Sequence, residues 1–410
     1  MNKMRSKLIK SAEFSLESYK YGINNAFLIN NLNNLLLQGE IDQHKEVLVI
    51  FLKKQLSKNN DQIIGLIKSV TCYEDLNPIH SDMESCRLEV IKFLLMYATF
   101  YGSLISAEWL RSLYLNRLIN EKSSNYLFAY DVALSLLEMG EIESALEFSI
   151  SQKKLFFKDK MSDISCFCKY LLGDRNSYPQ EQKKQNPRSK NSYFNLSLRT
   201  SSVLIKGPSS DEIDGLNDYD YVVKTNFIPD KKNNIGNHIL YYNYRKFKSY
   251  SADIADLAKM AGYVCLKSDS QLKQLISSEP LSKARKFSNA RPIFFRQSGS
   301  DPMAVQNITY DLIKSGVGSL FIESIDGYSS PKPYSDSYQQ SDPYSEKLQK
   351  DKNIARALRM HDPFSNFSYM QNILQSGRVK GDVVVNSVFK GDRSAYAEKI
   401  NSIYGNMYVY

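Results

Sequence analysis

The sequence predicts an all-helical N-terminal domain followed by an α/β domain with a mostly parallel sheet. Over about the first 170 residues, apolar side chains recur at intervals of three and four, as they do in helices. Beyond residue 200, short apolar runs alternate with helical segments, which is typical of parallel strands joined by helices. A chain of 410 residues is long enough for two or three domains. We therefore expect an all-helical domain over 1–172, a linker over 173–199 and an α/β domain over 200–410.

A hairpin is the clearest feature of the helical half. Helical spacing covers Tyr126–Met139, the pair Gly140-Glu141 interrupts it, and the spacing resumes over Ile142–Phe157. The mixture of small and large apolar residues resembles tetratricopeptide-type (TPR-like) helix pairs, which stack into a solenoid. Other helical segments are predicted at Val47–Leu56, Leu88–Tyr101 and Ala107–Ile119. These segments predict a repeat-like all-α domain.

The linker is predicted from composition. Residues 173–195 contain Pro179 and Pro187 and almost no large aliphatic side chain, and they include several charged and amide residues. Such a segment cannot bury an apolar face and breaks helices, so a domain boundary belongs here.

The α/β half is predicted from the alternation of its segments. We expect strands at Ser202–Lys206, Tyr221–Lys224, His238–Tyr242, Tyr263–Lys267, Pro292–Phe295 and Ser319–Ile322. We expect helices at Ile254–Met260, Leu272–Ile276, Val305–Lys314 and Phe364–Leu374. In sheets of this kind ligands bind beyond the carboxyl ends of the strands, so residues that follow predicted strands are the candidates for a site.

Charge narrows the classes of partner. The formal net charge is +9, which indicates attraction to phosphates, a nucleotide, an anionic saccharide or a membrane surface. The basic residues are scattered instead of forming a stripe, and this argues against nucleic acid as the partner.

The five cysteines show no CxxC spacing, so we expect a reduced, cytoplasmic setting without a zinc site. Because there is no apolar run of about 18 residues, we expect attachment to a membrane surface at most.

Small and amide residues follow the first three predicted strands of the α/β half. The turn Gly207-Pro208-Ser209 follows the first strand, and its backbone and hydroxyls can approach a phosphate or ribose, although ordinary turns have the same composition. Asn226 and Asn243 end the next two strands. An asparagine amide offers both a donor and an acceptor, which suits a pyrimidine edge or a sugar hydroxyl. Asparagine is also common in turns, so both interpretations stay open.

A tyrosine-rich loop and a histidine complete the candidate site. Ile325-Asp326-Gly327-Tyr328 leaves a predicted strand, and Tyr334 follows six residues later. Phenolic hydroxyls can hydrogen-bond the phosphate of a departing nucleotide, and a long loop in an α/β domain is often a lid, but a surface loop has the same composition. His361 precedes Asp362 and Pro363 at a predicted helix start. A helix N-terminus disfavours imidazolium, which keeps a histidine base neutral, although a lone histidine is more often structural.

Taken together, these segments resemble the glycosyltransferase family 42 sialyltransferases and, more weakly, family 29. The resemblance covers about residues 200–375 and rests on the combination and order of its parts. Those parts are Gly207-Pro208-Ser209, Glu212-Ile213-Asp214, Asn226, Asn243, Ile325-Asp326-Gly327-Tyr328, Tyr334 and His361.

The resemblance implies a Rossmann-like (GT-A-variant) transferase that uses a CMP-sugar donor and needs neither a cofactor nor a metal. It implies that His361 deprotonates a saccharide acceptor while Tyr328 and Tyr334 stabilise the leaving phosphate. The donor would be held by Gly207, Pro208, Ser209, Asn226, Asn243 and Asp326. The implied setting is bacterial capsule or lipopolysaccharide synthesis, in the cytoplasm or at the inner membrane surface. The helical domain would dock a protein partner or the growing glycan.

The chain departs from the family pattern at two positions, and other functions stay open. Lys206 stands where the family usually has asparagine, and the family's serine-glycine turn falls on Ala304 and Val305 in a gapless alignment. The donor need not be N-acetylneuraminate, since another nonulosonate or Kdo is also activated as a CMP-sugar. A transferase with a different nucleotide donor is a further alternative. A non-catalytic scaffold, with a helical repeat domain and a degenerate nucleotide-binding fold, is the alternative from another class.

Overall fold

The computed structural model describes most of the second half of the chain and part of the first. Its described residues are scattered positions from 83 to 98, then 104–120, 126–152, 158–174, 177–178, 192–207, 218–227, 235–278, 283–288, 290, 302–331 and 361–404. The chain divides into two compact units. One comprises 1–121, 297–299 and 404–410, and the other comprises 122–296 and 300–403. The first unit is described mainly by helix α1 (Leu104–Asn120).

The second unit combines a sheet with helices. Its helices are α2 (Tyr126–Glu138), α3 (Ile142–Ser151), α4 (Lys158–Leu171), α5 (Ser192–Leu198), α6 (Tyr244–Ser249), α7 (Ser251–Met260), α8 (Asp269–Ser278), α9 (Ala304–Ser315), α10 (Pro363–Gln375), α11 (Val383–Phe389) and α12 (Arg393–Tyr404), the last residue of which falls in the first unit. Its strands are β1 (Ser202–Lys206), β2 (Tyr221–Thr225), β3 (His238–Tyr242), β4 (Tyr263–Leu266), β5 (Ala284–Lys286), β6 (Ser319–Glu323) and β7 (Val379–Gly381). Within the described ranges, no helix is both long and apolar enough to cross a bilayer.

All seven strands form one parallel sheet in the order β5-β4-β3-β2-β1-β6-β7. The prediction of an α/β domain with a mostly parallel, Rossmann-like sheet is therefore confirmed. The interior strand β1 carries Val203, Leu204 and Ile205, all of them buried. A continuous apolar run of this kind is expected for a strand that is covered on both faces.

Two helical layers cover the sheet. On one face, α6, α7 and α8 pack against β3 and β4 in a cluster that includes Tyr242, Phe247 and Leu257. On the other face lies α9, because Asp311 of α9 accepts a hydrogen bond from the Tyr241 hydroxyl at 2.7 Å. Neighbouring residues of a strand point to opposite faces, so the pair Tyr241-Tyr242 serves both layers.

The predicted helical hairpin is present as α2 and α3, joined at Gly140, whose φ is 82°. Together with α4 it belongs to the same compact unit as the sheet. Helix α4 packs outside α9 and α10, because the Phe167 ring lies 6.3 Å from Tyr310 and 5.6 Å from Tyr369. A repeat-like domain over 1–172 stays a prediction, since residues 1–82 lie outside the described part of the chain.

Strand β5 and helix α5 are two of the elements that the sequence analysis did not predict. Strand β5 is Ala284–Lys286, which the sequence analysis did not predict, and the strand predicted at Pro292–Phe295 lies outside the described residues. Helix α5 falls within the segment 173–199 that composition assigned to a linker. Its Phe194 and Leu198 are buried and anchor this short helix.

A buried ion pair joins α9 to the sheet. Asp311 is fully buried, and Arg285 of β5 donates to its carboxylate through Nη1 at 2.6 Å and Nη2 at 2.8 Å. The Ser288 backbone N–H also donates to Asp311, at 2.7 Å. With the Tyr241 hydroxyl, the carboxylate accepts four hydrogen bonds. The guanidinium lies 4.0 Å from the centre of the Phe194 ring, so α5 is tied to the same cluster.

Replacing Asp311→Asn should lower the free energy of unfolding by about 3–5 kcal/mol, because Arg285 would keep a buried charge without a counter-charge. Urea unfolding of the second unit measures this loss. Asp256→Asn is the matched control, since Asp256 pairs with Lys259 at 3.5 Å on the surface, and it should cost at most about 0.5 kcal/mol. Similar losses in the two variants would contradict the structural role of the buried pair.

His238 should make the stability depend on pH. Burial, and then the charge of Lys224, lower the pKa of His238 from 6.5 to about 4. Between these values the unfolded chain binds more protons than the folded chain, so the stability should fall as the pH is lowered from 6.5 to 4. Unfolding midpoints across this range, compared with those of His238→Gln, measure the effect. Equal pH dependence in the two proteins would contradict it.

Candidate functional site

The strand order defines where a ligand site belongs. Strands β1 to β5 follow one another across the sheet in chain order. Strand β6 then lies on the opposite side of β1 from β2. This reversal is a topological switch point, and in open α/β sheets ligands bind there, beyond the carboxyl ends of the strands. The candidate site is therefore the carboxyl edge around β1, β2 and β6.

Gly207 joins the ends of β1 and β6. Its N–H donates to the Glu323 carbonyl at 2.8 Å. A Cβ atom built at Gly207 would lie 2.1 Å from the Ser324 carbonyl oxygen and 2.3 Å from Cγ1 of Ile325. Glycine is thus required by the close approach of two chain segments, whereas the sequence analysis invoked the approach of a ligand. Pro208 and Ser209, the other predicted residues of this turn, lie outside the described part of the chain.

Asn226 and Asn243 are brought together at the ends of β2 and β3. The Asn226 Oδ1 atom accepts from the Asn243 backbone N–H at 3.0 Å. The Asn243 Oδ1 atom accepts from the Lys246 N–H at 2.8 Å and caps α6. Both side-chain oxygens are therefore engaged within the protein. Their NH₂ groups have no hydrogen-bond acceptor among the described residues, so each asparagine offers a ligand a donor.

Asp326 shapes the loop that follows β6. Its Oδ1 atom accepts from the Tyr328 N–H at 3.0 Å, and Oδ2 accepts from the Ser330 hydroxyl. The side chain is buried, and this burial raises its pKa above the usual range of a carboxyl, while the hydrogen bonds act in the opposite direction. Both oxygens are used inside the loop, so the loop conformation depends on Asp326. A donor-binding role for this residue, which the family resemblance implies, stays a prediction.

The same loop is held from outside by residues that the sequence analysis missed. Asp382 accepts from the Ser324 N–H at 2.8 Å through Oδ2 and caps α11 through Oδ1. The Tyr396 hydroxyl donates to the Gly327 carbonyl at 2.6 Å. Asp382 precedes the apolar run Val383–Phe389, and this is an N-cap signal that could have been read from sequence. No local signal marks Tyr396.

His361 lies at the start of α10, as predicted. Asp362 accepts from the Phe364 N–H at 3.3 Å and from the Ser365 hydroxyl at 2.7 Å, which confirms the predicted N-cap. Helix α10 connects the parallel strands β6 and β7, so it runs antiparallel to them and begins at the carboxyl edge. The Phe364 ring lies 6.5 Å from the ring of Tyr396, which bonds Gly327. The helix that carries His361 is thus linked to the loop that carries Tyr328.

Positive φ angles at non-glycine residues of the described chain occur at this edge of the sheet. Asn226, Ser324 and Tyr328 are the non-glycine residues with positive φ in the described part of the chain, with values of 53°, 56° and 65°. All three follow β2 or β6. Such conformations cost about 1–3 kcal/mol each and cluster at ligand sites. Tyr334, the second predicted tyrosine, lies outside the described residues.

Comparisons with models of protein families, with curated proteins and with solved structures find no match to the chain. The described side chains include no group of three His, Cys, Asp or Glu residues positioned as metal ligands.

Replacing Tyr396→Phe should lower the free energy of unfolding by about 1–3 kcal/mol, because it leaves the buried Gly327 carbonyl without its donor. Hydrogen exchange at the Tyr328 and Ser329 amides should quicken. Tyr250→Phe is the control, since the Tyr250 hydroxyl has no hydrogen-bond partner in the described part of the chain. Unchanged exchange in Tyr396→Phe would show that the loop does not depend on this bond.

Proposed function

We propose that the protein is a CMP-sugar-dependent glycosyltransferase of the sialyltransferase type, with a CMP-activated nonulosonate or Kdo as donor. The observation that carries the proposal is the convergence of the motif residues on one edge of the sheet. Gly207, Asn226 and Tyr328 follow three strands around the switch point, and the α10 N-terminus with His361 lies at the same edge. The strand order sets β1, β2 and β6 side by side, which the order of these segments along the chain does not determine by itself.

In the proposed reaction His361 is the general base. It removes the proton from an acceptor hydroxyl, whose oxygen then attacks the anomeric carbon of the donor. The bond from that carbon to the phosphate oxygen breaks, and CMP leaves with the electron pair. Direct displacement inverts the anomeric centre. Tyr328 and Tyr334 donate hydrogen bonds to the departing phosphate, so the step needs no metal.

The donor is held by groups that can only donate. The NH₂ groups of Asn226 and Asn243 suit the carbonyl oxygen of a pyrimidine or the oxygens of a phosphate. The acceptor is a saccharide of a surface polysaccharide or lipopolysaccharide, which agrees with the net charge of +9. We also propose that the enzyme acts at the inner membrane surface and that the helical segments dock a protein partner or the growing glycan.

A non-catalytic scaffold is the second candidate function. It is favoured by the hydrogen bonds that Asp326 and Asn243 make within the protein, since both side chains have structural roles without any ligand. The two candidates differ in nucleotide binding, because a degenerate site should not bind CMP.

The test is CMP release from a panel of CMP-sugars that includes CMP-N-acetylneuraminate and CMP-Kdo. His361→Ala should lower the rate by about 10²–10⁴-fold, the usual contribution of a general base, and leave CMP binding intact. His238→Gln is the control, since His238 begins β3 at the opposite edge of the sheet, and its rate should equal that of the wild type.

Full turnover by His361→Ala would rule out this histidine as the base. An absence of both CMP release and CMP binding in the wild-type protein would instead favour the scaffold. Binding of UDP or GDP in preference to CMP would favour a transferase with another nucleotide donor.

A further inference from the structure

Two lysines lie side by side at the carboxyl ends of β1 and β2. The register pairs Ile205 with Val223, so Lys206 and Lys224 are the next neighbours across the two strands. Partners in register share a face of the sheet, so both ammonium groups extend from the same face. Lys224 also pairs with Leu240, which packs under α6–α8, and this identifies the face. Both lysines are half-buried.

Neither lysine forms an ion pair with a carboxylate in the described part of the chain. Glu323 of β6 is in register with Lys206 and therefore lies on the same face of the sheet, but no ion pair joins the two side chains. Glu323 also faces the Tyr219 hydroxyl, whose pKa is raised by burial and then by Glu323. The Lys224 Nζ atom instead lies 4.3 Å from the centre of the Phe227 ring. Burial, and then the charge of Lys206, lower the pKa of Lys224.

This arrangement is unfavourable for the protein by itself. Two half-buried like charges on adjacent strands repel each other and lose hydration. Lys206 directly precedes Gly207, and Lys224 lies two residues before Asn226. Both lysines therefore lie at the switch point, where ligands bind in open α/β sheets. Such an arrangement is stabilised when an anion binds between the two cations.

We propose that Lys206 and Lys224 form an oxyanion-binding pair that holds an anionic group of the donor. This inference rests on the proposed function and names the part of the donor that these residues recognise. A CMP-activated acidic sugar carries two such groups, the phosphate and the sugar carboxylate. Both are oxyanions that two neighbouring ammonium groups can bind through charge-assisted hydrogen bonds.

Calorimetry of the full chain with CMP, cytidine, inorganic phosphate and free N-acetylneuraminate tests the pair. Lys206→Gln and Lys224→Gln should each weaken binding of the recognised anion by about 10- to 100-fold. Cytidine binding should not change, and the salt dependence of CMP binding should decrease. Lys380→Gln is the matched control, because Lys380 is exposed on β7 and in register with Phe321, on the same face of the sheet.

The probes separate the two sources of the anion. Selective loss of CMP affinity assigns the pair to the phosphate, and selective loss of N-acetylneuraminate affinity assigns it to the carboxylate. Urea unfolding serves as the folding check, and Lys224→Gln should be at least as stable as the wild type because the repulsion from Lys206 is removed.

Some outcomes would overturn the inference. They are wild-type affinities in both glutamine variants, or no binding of CMP, N-acetylneuraminate or inorganic phosphate by the wild-type protein. Failure of the proposed function gives a different result. If the variants lose phosphate binding but the wild type releases CMP from no CMP-sugar, the oxyanion site stands and the transferase assignment does not.

Discussion

The carboxylate of Asp311 is the constraint on which the rest of this α/β unit depends. It receives hydrogen bonds from β3, β5 and the segment that follows β5, and it lies on the helix that leads to β6. That helix must carry the chain from one edge of the sheet back across β1. A charge buried in an apolar layer is stable in only one position, where all of its donors meet it. The ion pair therefore fixes the position of α9 on the sheet, and α9 is the helix that leads to β6.

The candidate site is shaped as much by its supports as by its motif residues. Ser324 and Tyr328 have positive φ angles, which isolated residues avoid. The Ser324 N–H donates to the Asp382 carboxylate, and the Tyr328 N–H donates to the Asp326 carboxylate. Tyr396 fixes the turn between them. Strained conformations persist only where the surroundings over-determine them, and the last helices of the unit supply that surrounding structure. The loop at the site is thus held by hydrogen bonds from three sides: Asp326, Asp382 and Tyr396.

Sequence reasoning predicted the elements whose signals are local. Strands β1 and β3 and the cap at Asp362 follow from contiguous apolar runs and from a capping residue. Strand β5 was missed because it has only three residues and its buried side chain is Arg285, whose partner Asp311 lies far along the chain. The sequence predicted the turn at Gly207 but not why glycine is required there. The requirement comes from the close contact with Ser324, which depends on β6 lying beside β1. The register that joins Lys206 and Lys224 is likewise a property of the sheet.

The strand order also has a consequence for the nascent chain. Strands β2 to β5 can pair in the order of their synthesis, but the second edge of β1 stays open until Ser319–Glu323 has been made. That strand comes roughly 110 residues later, a delay on the order of 10 s at ~5–20 residues per second. During this interval Val203, Leu204 and Ile205 form an open apolar edge, which is a template for intermolecular pairing. We expect aggregation on the ribosome, and dependence on chaperones, to be greatest for chains that end before β6.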